Sequence, residues 1–214
     1  MKIDVLCSDR SHPVWRRLEE WASLAGDDHD VTVLSSSAEL RGGDILFLVS
    51  CHEVIDPSLR VGYSATLVLH ASDLPYGRGW SPHVWQILEG KREITVSLLE
   101  AQDPPDTGAI WGRMVIPLAG HELHDEVNRL LFDAECDLMS TAIARHNAIV
   151  PVAQAESGAT FYRRRTPDDS RLDPDRSIAD QFDLLRICDP DRYPAFFDLR
   201  GHRYAIRLSK ISEG

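Results

Sequence analysis

Residues 45–49 read ILFLV, the longest apolar run in the chain. Apolar residues without alternation suit a strand covered on both faces, and Arg41-Gly42-Gly43-Asp44 supplies a turn ahead of it. The run is far shorter than the roughly 20 residues that cross a bilayer. A strand of this kind needs a layer above and a layer below, and its neighbours provide them. Residues 2–7, 30–34 (DVTVL) and 66–70 (TLVLH) read as further short strands. Between them, HPVWRRLEEWASLAG places Val14, Leu18, Trp21 and Leu24 at helical spacing and stops at Gly26. SPHVWQILEG opens with Ser81 as a cap and Pro82 at the first helical position, and it closes on Gly90. Strands separated by helices predict parallel pairing, and so an α/β fold with a Rossmann-like, doubly wound, mostly parallel sheet.

Two more strands are expected over 93–101 and 108–118, flanking the loop QDPPDT. Residues 122–146 form a long amphipathic stretch with Leu123, Val127, Leu130, Leu131, Leu138 and Ile143 on one side. Acids at its start and Arg145 at its end favour the helix dipole. The polar, proline-bearing RRRTPDDSRLDPDRS then marks a surface crossing. Beyond it a short helix is predicted over 177–188, with Ile178, Phe182 and Leu185 inward, and a hairpin over 195–208 turning at Arg200-Gly201. The chain divides into a main domain over 1–150 and a small extension over 151–214 packed on it, a helix plus a hairpin.

Composition excludes several classes. With 43% hydrophobic and 27% charged residues, the chain can build a core and is neither disordered nor fibrous. Lys and Arg number 23 against 34 Asp and Glu, a net charge of −11 that repels polyanions, so no nucleic-acid partner is expected. Asp4, Asp9 and Arg10 stand where a secretory signal carries its apolar segment, so a cytoplasmic protein without a membrane partner is expected. Cys7, Cys51, Cys136 and Cys188 form no C-x-x-C pair, which argues against a disulfide framework and a thiolate zinc site. His121 and His124 lack the spacing that puts two imidazoles on one helix face, and His52 and Glu53 are adjacent with no third ligand, so no metal is expected.

Ligands of open α/β sheets bind beyond the carboxyl ends of the strands, which directs attention to His70. It ends TLVLH and precedes ASDLPYGRGW, where Gly77 and Gly79 let backbone approach a bound molecule. An imidazole there can take a proton. Asp106, on the loop held by Pro104 and Pro105, can orient that imidazole and favour its charged form.

The stretch HASDLPYGRGWSPHVWQILEGKREITVSLLEAQDPPDTGAI, residues 70–110, resembles the folate-dependent formyltransferases. His70, Ser72, Leu74, Pro75, Arg78, Gly79, Pro82, Gly90, Asp106, Thr107 and Gly108 fill the places of the family pattern. The resemblance implies the methionyl-tRNA-formyltransferase-like fold and binding of 10-formyltetrahydrofolate as cosubstrate, with His70 and Asp106 as catalytic residues. Formyl transfer to an amine passes through a tetrahedral intermediate, so a site must remove a proton and stabilise an oxyanion. By the same resemblance Ser50, Cys51, His52, Val54, Leu74, Pro75, Arg78, Gly79, Asp103 and Asp106 would hold the folate, and Ser72, Tyr76, Trp80 and Arg163 the acceptor. Gly-Trp after the arginine and the tail RRRTPDDSRLDPDRSI look closest to the enzymes that formylate nucleotide-linked amino sugars for surface polysaccharide. Those enzymes commonly form homodimers, which the resemblance extends to this chain. Other acceptors of the family pattern stay open, among them a siderophore hydroxyornithine or water, as does a non-catalytic folate or sugar-nucleotide binding module.

Two positions depart from the pattern: Ala109 replaces a second acid, and Val68 stands where the family has an oxyanion-donating Asn. Protonated His70, or a backbone N–H of the 75–79 loop, is expected to serve instead. Val68→Asn should therefore raise turnover in a formyl-transfer assay; an unchanged or abolished rate would count against a missing donor.

Overall fold

The computed structural model describes residues 1–211, so the last residues of the 151–214 extension lie outside the described part. The strands that precede the candidate loop are β1 (Lys2–Leu6), β2 (Asp30–Leu34), β3 (Gly43–Leu48) and β4 (Tyr63–His70), with α1 (Val14–Ala25) and α2 (Pro57–Arg60) between them. There follow β5 (Arg78–Gly79), α3 (Pro82–Leu88), β6 (Glu93–Glu100), β7 (Ile110–Pro117), α4 (His124–Arg145) and β8 (Phe161–Tyr162). The chain closes with α5 (Phe182–Ile187) and the hairpin β9 (Ala195–Leu199) and β10 (His202–Ile206). A six-stranded sheet in the order β2-β1-β3-β4-β6-β7 forms the centre. Among the described residues no helix is long and apolar enough to cross a membrane.

The ILFLV run does what its composition requires. Ile45 and Phe47 face a layer made by α1 and α4, while Leu46 and Leu48 face the opposite side with Leu6, Leu34, Leu40, Ile55 and Tyr63. Trp21 meets Phe47 edge-on at 6.1 Å, and its Nε1 donates to Ser140 Oγ at 2.9 Å, tying α1 to α4 through the sheet's main layer. Leu24, expected inward, is 72% exposed, whereas Ala25 packs on the core. The face set by Val14, Leu18 and Trp21 continues at i+4, not i+3. Helix α4 begins with the Glu126 carboxylate accepting from the Leu123 N–H at 2.8 Å, which satisfies one open helical donor.

Strands β1, β2, β3 and β4 pair in parallel, as expected, but β6 runs antiparallel to β4 and β7 antiparallel to β6. After α3, β6 enters beside the end that β4 has just reached, with His70 opposite Ser97 and Leu67 opposite Glu100. Ser81 does not cap α3 with its side chain; it adopts a left-handed φ of 46° and leaves the start to Pro82. In the extension, Ile178 is 73% exposed rather than inward, while Leu185 packs with Leu172, Cys188 and Ala195 beneath the β9–β10 hairpin.

One core residue breaks the apolar pattern of α4. Glu135 is 5% exposed, its Oε2 has no partner, and burial alone pushes its carboxyl up to about 8. The folded state keeps this acid neutral while the unfolded chain ionises it near the ordinary value of 4.5. Its contribution is fully present below that value and is lost as pH rises toward about 8. Urea midpoints of Glu135→Leu and the native protein should diverge between about pH 5 and about pH 8, the variant gaining; a pH-independent difference would contradict the burial account.

Candidate active site

The site is built where β4 ends. Thr66, Val68 and His70 share one strand face, and His70 is 7% exposed. Its Nε2 lies 2.9 Å from the Gly77 carbonyl oxygen, which can only accept, so Nε2 carries a proton. That leaves Nδ1 as the other ring nitrogen, and it faces Asp106 Oδ1 at 3.7 Å. The gap is longer than a hydrogen bond, and a proton arriving on Nδ1 would face the Asp106 carboxylate while Nε2–H stays on the Gly77 carbonyl.

Asp106 reaches this place because the β6–β7 connection folds back over the sheet. Ala101 N–H donates to the Thr66 carbonyl at 2.8 Å, four residues short of His70, and Asp106 adopts a left-handed φ of 62°. Aspartate tolerates that conformation better than most residues, and such outliers cluster at functional sites. Its Oδ2 accepts from Gly79 N–H at 2.9 Å. Gln154 Nε2 donates to the carbonyls of both Asp106 and Gly108 at 2.9 Å, and its Oε1 accepts from Arg78 Nη2 at 2.8 Å. Arg60 closes the base of the loop through the Ala101 carbonyl at 3.0 Å and an ion pair with Asp103. Two glycines are required: a Cβ at Gly108 would collide with the Glu100 carbonyl, and one at Gly79, with φ 95°, with the Tyr162 carbonyl.

The loop 75–80 is itself strapped to the post-helix segment. Gly77 N–H donates to Thr160 Oγ1 at 2.8 Å, Arg78 N–H to Thr160 O at 2.9 Å and Trp80 N–H to Tyr162 O at 3.1 Å. Tyr76 N–H donates to Asp73 O at 3.1 Å. Each backbone N–H from Tyr76 to Trp80 is thus engaged. The expected oxyanion donor from this loop is corrected accordingly, since none of these N–H groups is free. Val68 contributes only an apolar side chain, half-buried between the two clusters that hold Leu48 and Leu74.

The residues expected around His70 fall into three groups. Leu74 and Pro75 are buried beneath the loop, Leu74 with Leu99 and Ile110. Ser50, Cys51 and His52 stand beside it: Ser50 has φ 47°, His52 N–H donates to Ser8 Oγ at 2.7 Å, and the His52 ring meets Trp80 at 5.4 Å. Burial pushes the Cys51 thiol up, so it stays protonated and is no thiolate nucleophile. Tyr76 and Trp80 are open to solvent, 55% and 39% exposed. The third group points elsewhere. Val54 is 79% exposed, Asp103 is taken by Arg60, and Ser72 is 1% exposed with its carbonyl accepting from Ser97 Oγ at 2.7 Å. Arg163 is bound by Asp169, which that guanidinium holds well below the usual carboxylate range. Gln154, Thr160 and Tyr162 carry no signal in the sequence; they come from the segment after α4, which has no spacing pattern. Among the described residues no group of His, Cys, Asp and Glu is placed to hold a metal ion.

Known structures share this architecture. Methionyl-tRNA formyltransferase from Clostridium thermocellum superposes with a TM-score of 0.82 at 20% identity, covering 99% of this chain and 94% of that one. A sugar N-formyltransferase from Shewanella superposes at 0.73 and 16% identity, over 100% and 99%. HypX from Aquifex aeolicus, solved with tetrahydrofolic acid, superposes at 0.76 and 21% identity over 95% of this chain and 36% of its own. No family model matches the sequence. At these identities the likeness establishes the fold: this chain has the formyltransferase fold, an α/β sheet with a small C-terminal hairpin.

The clamp on Asp106 gives a direct test. Gln154→Leu should leave hydrogen exchange of the central strands unchanged and speed exchange at Gly79 and across 106–108 by about tenfold or more; equal protection in both proteins would remove Gln154 from the clamp.

Proposed function

We propose that this chain is a folate-dependent N-formyltransferase that moves the formyl group of 10-formyltetrahydrofolate to the amine of a nucleotide-linked amino-deoxy sugar. The observation that carries the reading is the approach of His70 Nδ1 to Asp106 Oδ1 at 3.7 Å, at the carboxyl end of β4. These groups lie 36 positions apart in sequence, and the formyltransferase pattern pairs them. The net charge of −11 weighs against a tRNA acceptor and so supports the amino-sugar class.

The residues present suit a folate. Cys51, Val68 and Ala101 form a half-buried apolar patch between two clusters, edged by the irregular backbone of residues 50–55. A flat heterocycle matches an apolar floor edged by irregular backbone. The likeness to HypX, solved with tetrahydrofolic acid, agrees. When bound, the folate supplies the activated formyl carbon.

The chain's own groups then manage the proton. Neutral His70, with Nε2–H fixed on the Gly77 carbonyl, presents Nδ1 as the base that takes a proton from the attacking amine. Asp106 favours the resulting imidazolium, and Gly79 N–H keeps the carboxylate pointed at it. The homodimer and the role in surface polysaccharide belong to the same reading.

Incubation with 10-formyltetrahydrofolate and a panel of nucleotide-linked amino sugars should release tetrahydrofolate only when an amine is supplied. His70→Asn and Asp106→Asn should each lower that rate by roughly 10²- to 10⁴-fold. Release without any amine would instead mark a hydrolase, and binding without release a non-catalytic module.

A further inference from the structure

Arginines 163, 164 and 165 stand together in an acidic chain, and the structure separates their roles. Arg163 is locked to Asp169 and lies 4.9 Å from the Trp85 ring centre. Arg165 is half-buried, with Nη2 donating to the Asp169 carbonyl at 2.9 Å. Arg164 is exposed and, among the described residues, makes no ion pair. Its guanidinium carbon sits 4.7 Å from the ring centre of Trp80.

That position is set by the backbone. Arg164 lies two residues past Tyr162, whose carbonyl receives the Trp80 N–H, and Trp80 directly follows Gly79, the residue that holds Asp106. The Trp80 indole also meets the His52 ring of the 50–55 segment. Arg164 therefore stands at the mouth of the candidate site, beside the two segments that flank His70 and Asp106.

We propose that Arg164, steadied on Trp80, recognises an anionic group carried by one of the two reactants, the diphosphate of the acceptor or the glutamyl carboxylates of the folate. The inference rests on the formyltransferase reading for the identity of those reactants. Stacking on an indole fixes the guanidinium plane and leaves its edge donors outward, the arrangement that binds phosphate or carboxylate through two parallel hydrogen bonds. In a chain of net charge −11, an exposed guanidinium that makes no ion pair among the described residues draws an anion to this side of the site.

Titration calorimetry of the intact protein and of Arg164→Gln with two probes, a nucleoside diphosphate and tetrahydrofolate, tests this without turnover. The variant should lose about tenfold or more in affinity for one probe and keep the other, which names the source of the anion. Trp80→Leu, with Arg164 intact, should reproduce part of the same selective loss. Equal affinities in the native protein and Arg164→Gln, equal losses for both probes, or no binding of either probe by the native protein would overturn the proposal. A selective loss found in a protein that transfers no formyl group would leave Arg164 as an anion site and refute the transferase reading instead.

Discussion

Asp106 is the residue on which the candidate site depends, and it is held by hydrogen bonds rather than by burial. Its side chain is pinned by the Gly79 N–H and its carbonyl by Gln154. Without those contacts, a loop rich in proline and acid between two strands would extend into solvent. With them, a carboxylate sits over the end of β4 in a left-handed conformation that costs on the order of 1 kcal/mol or more and that the surrounding bonds offset. The same clamp joins three separate segments, because Gln154 also accepts from Arg78. Ordering the Asp106 loop and ordering the 75–80 loop are therefore one event.

The sheet makes that event possible. Parallel strands β1, β3 and β4 deliver their carboxyl ends to one edge, and β6 enters from that edge and runs antiparallel away from it. The β6–β7 connection thus starts opposite Thr66 and has to fold back to reach His70. Gly108 permits the turn by passing close against the Glu100 carbonyl. The core below is held by Trp21, Phe47 and the α1–α4 contact, with the Glu135 carboxyl buried in it and one oxygen unpartnered.

Much of the scaffold was legible because it follows from local pattern. The ILFLV run, the spacing of Val14, Leu18 and Trp21, and the acids that open α4 each point to one element by period or dipole. Errors came where periodicity leaves latitude. Leu24 and Ile178 each sit one step off a buried stripe and face solvent. Alternation of strand and helix predicts a mostly parallel sheet but carries no signal for the direction of β6, which its pairing with β4 set.

The sequence by itself determined the sheet-and-helix scaffold and brought forward His70 and Asp106, since both stand in a run of registered residues within a single stretch of chain. Tertiary structure alone decided which donors and cations are available. It consumed every backbone N–H from Tyr76 to Trp80, took Arg163 into an ion pair and left Arg164 on an indole. The physical reason is range. Hydrophobic period and turn chemistry are written in neighbours along the chain, whereas hydrogen bonds such as Gln154 to Asp106 join residues 48 positions apart and exist only once both are in place.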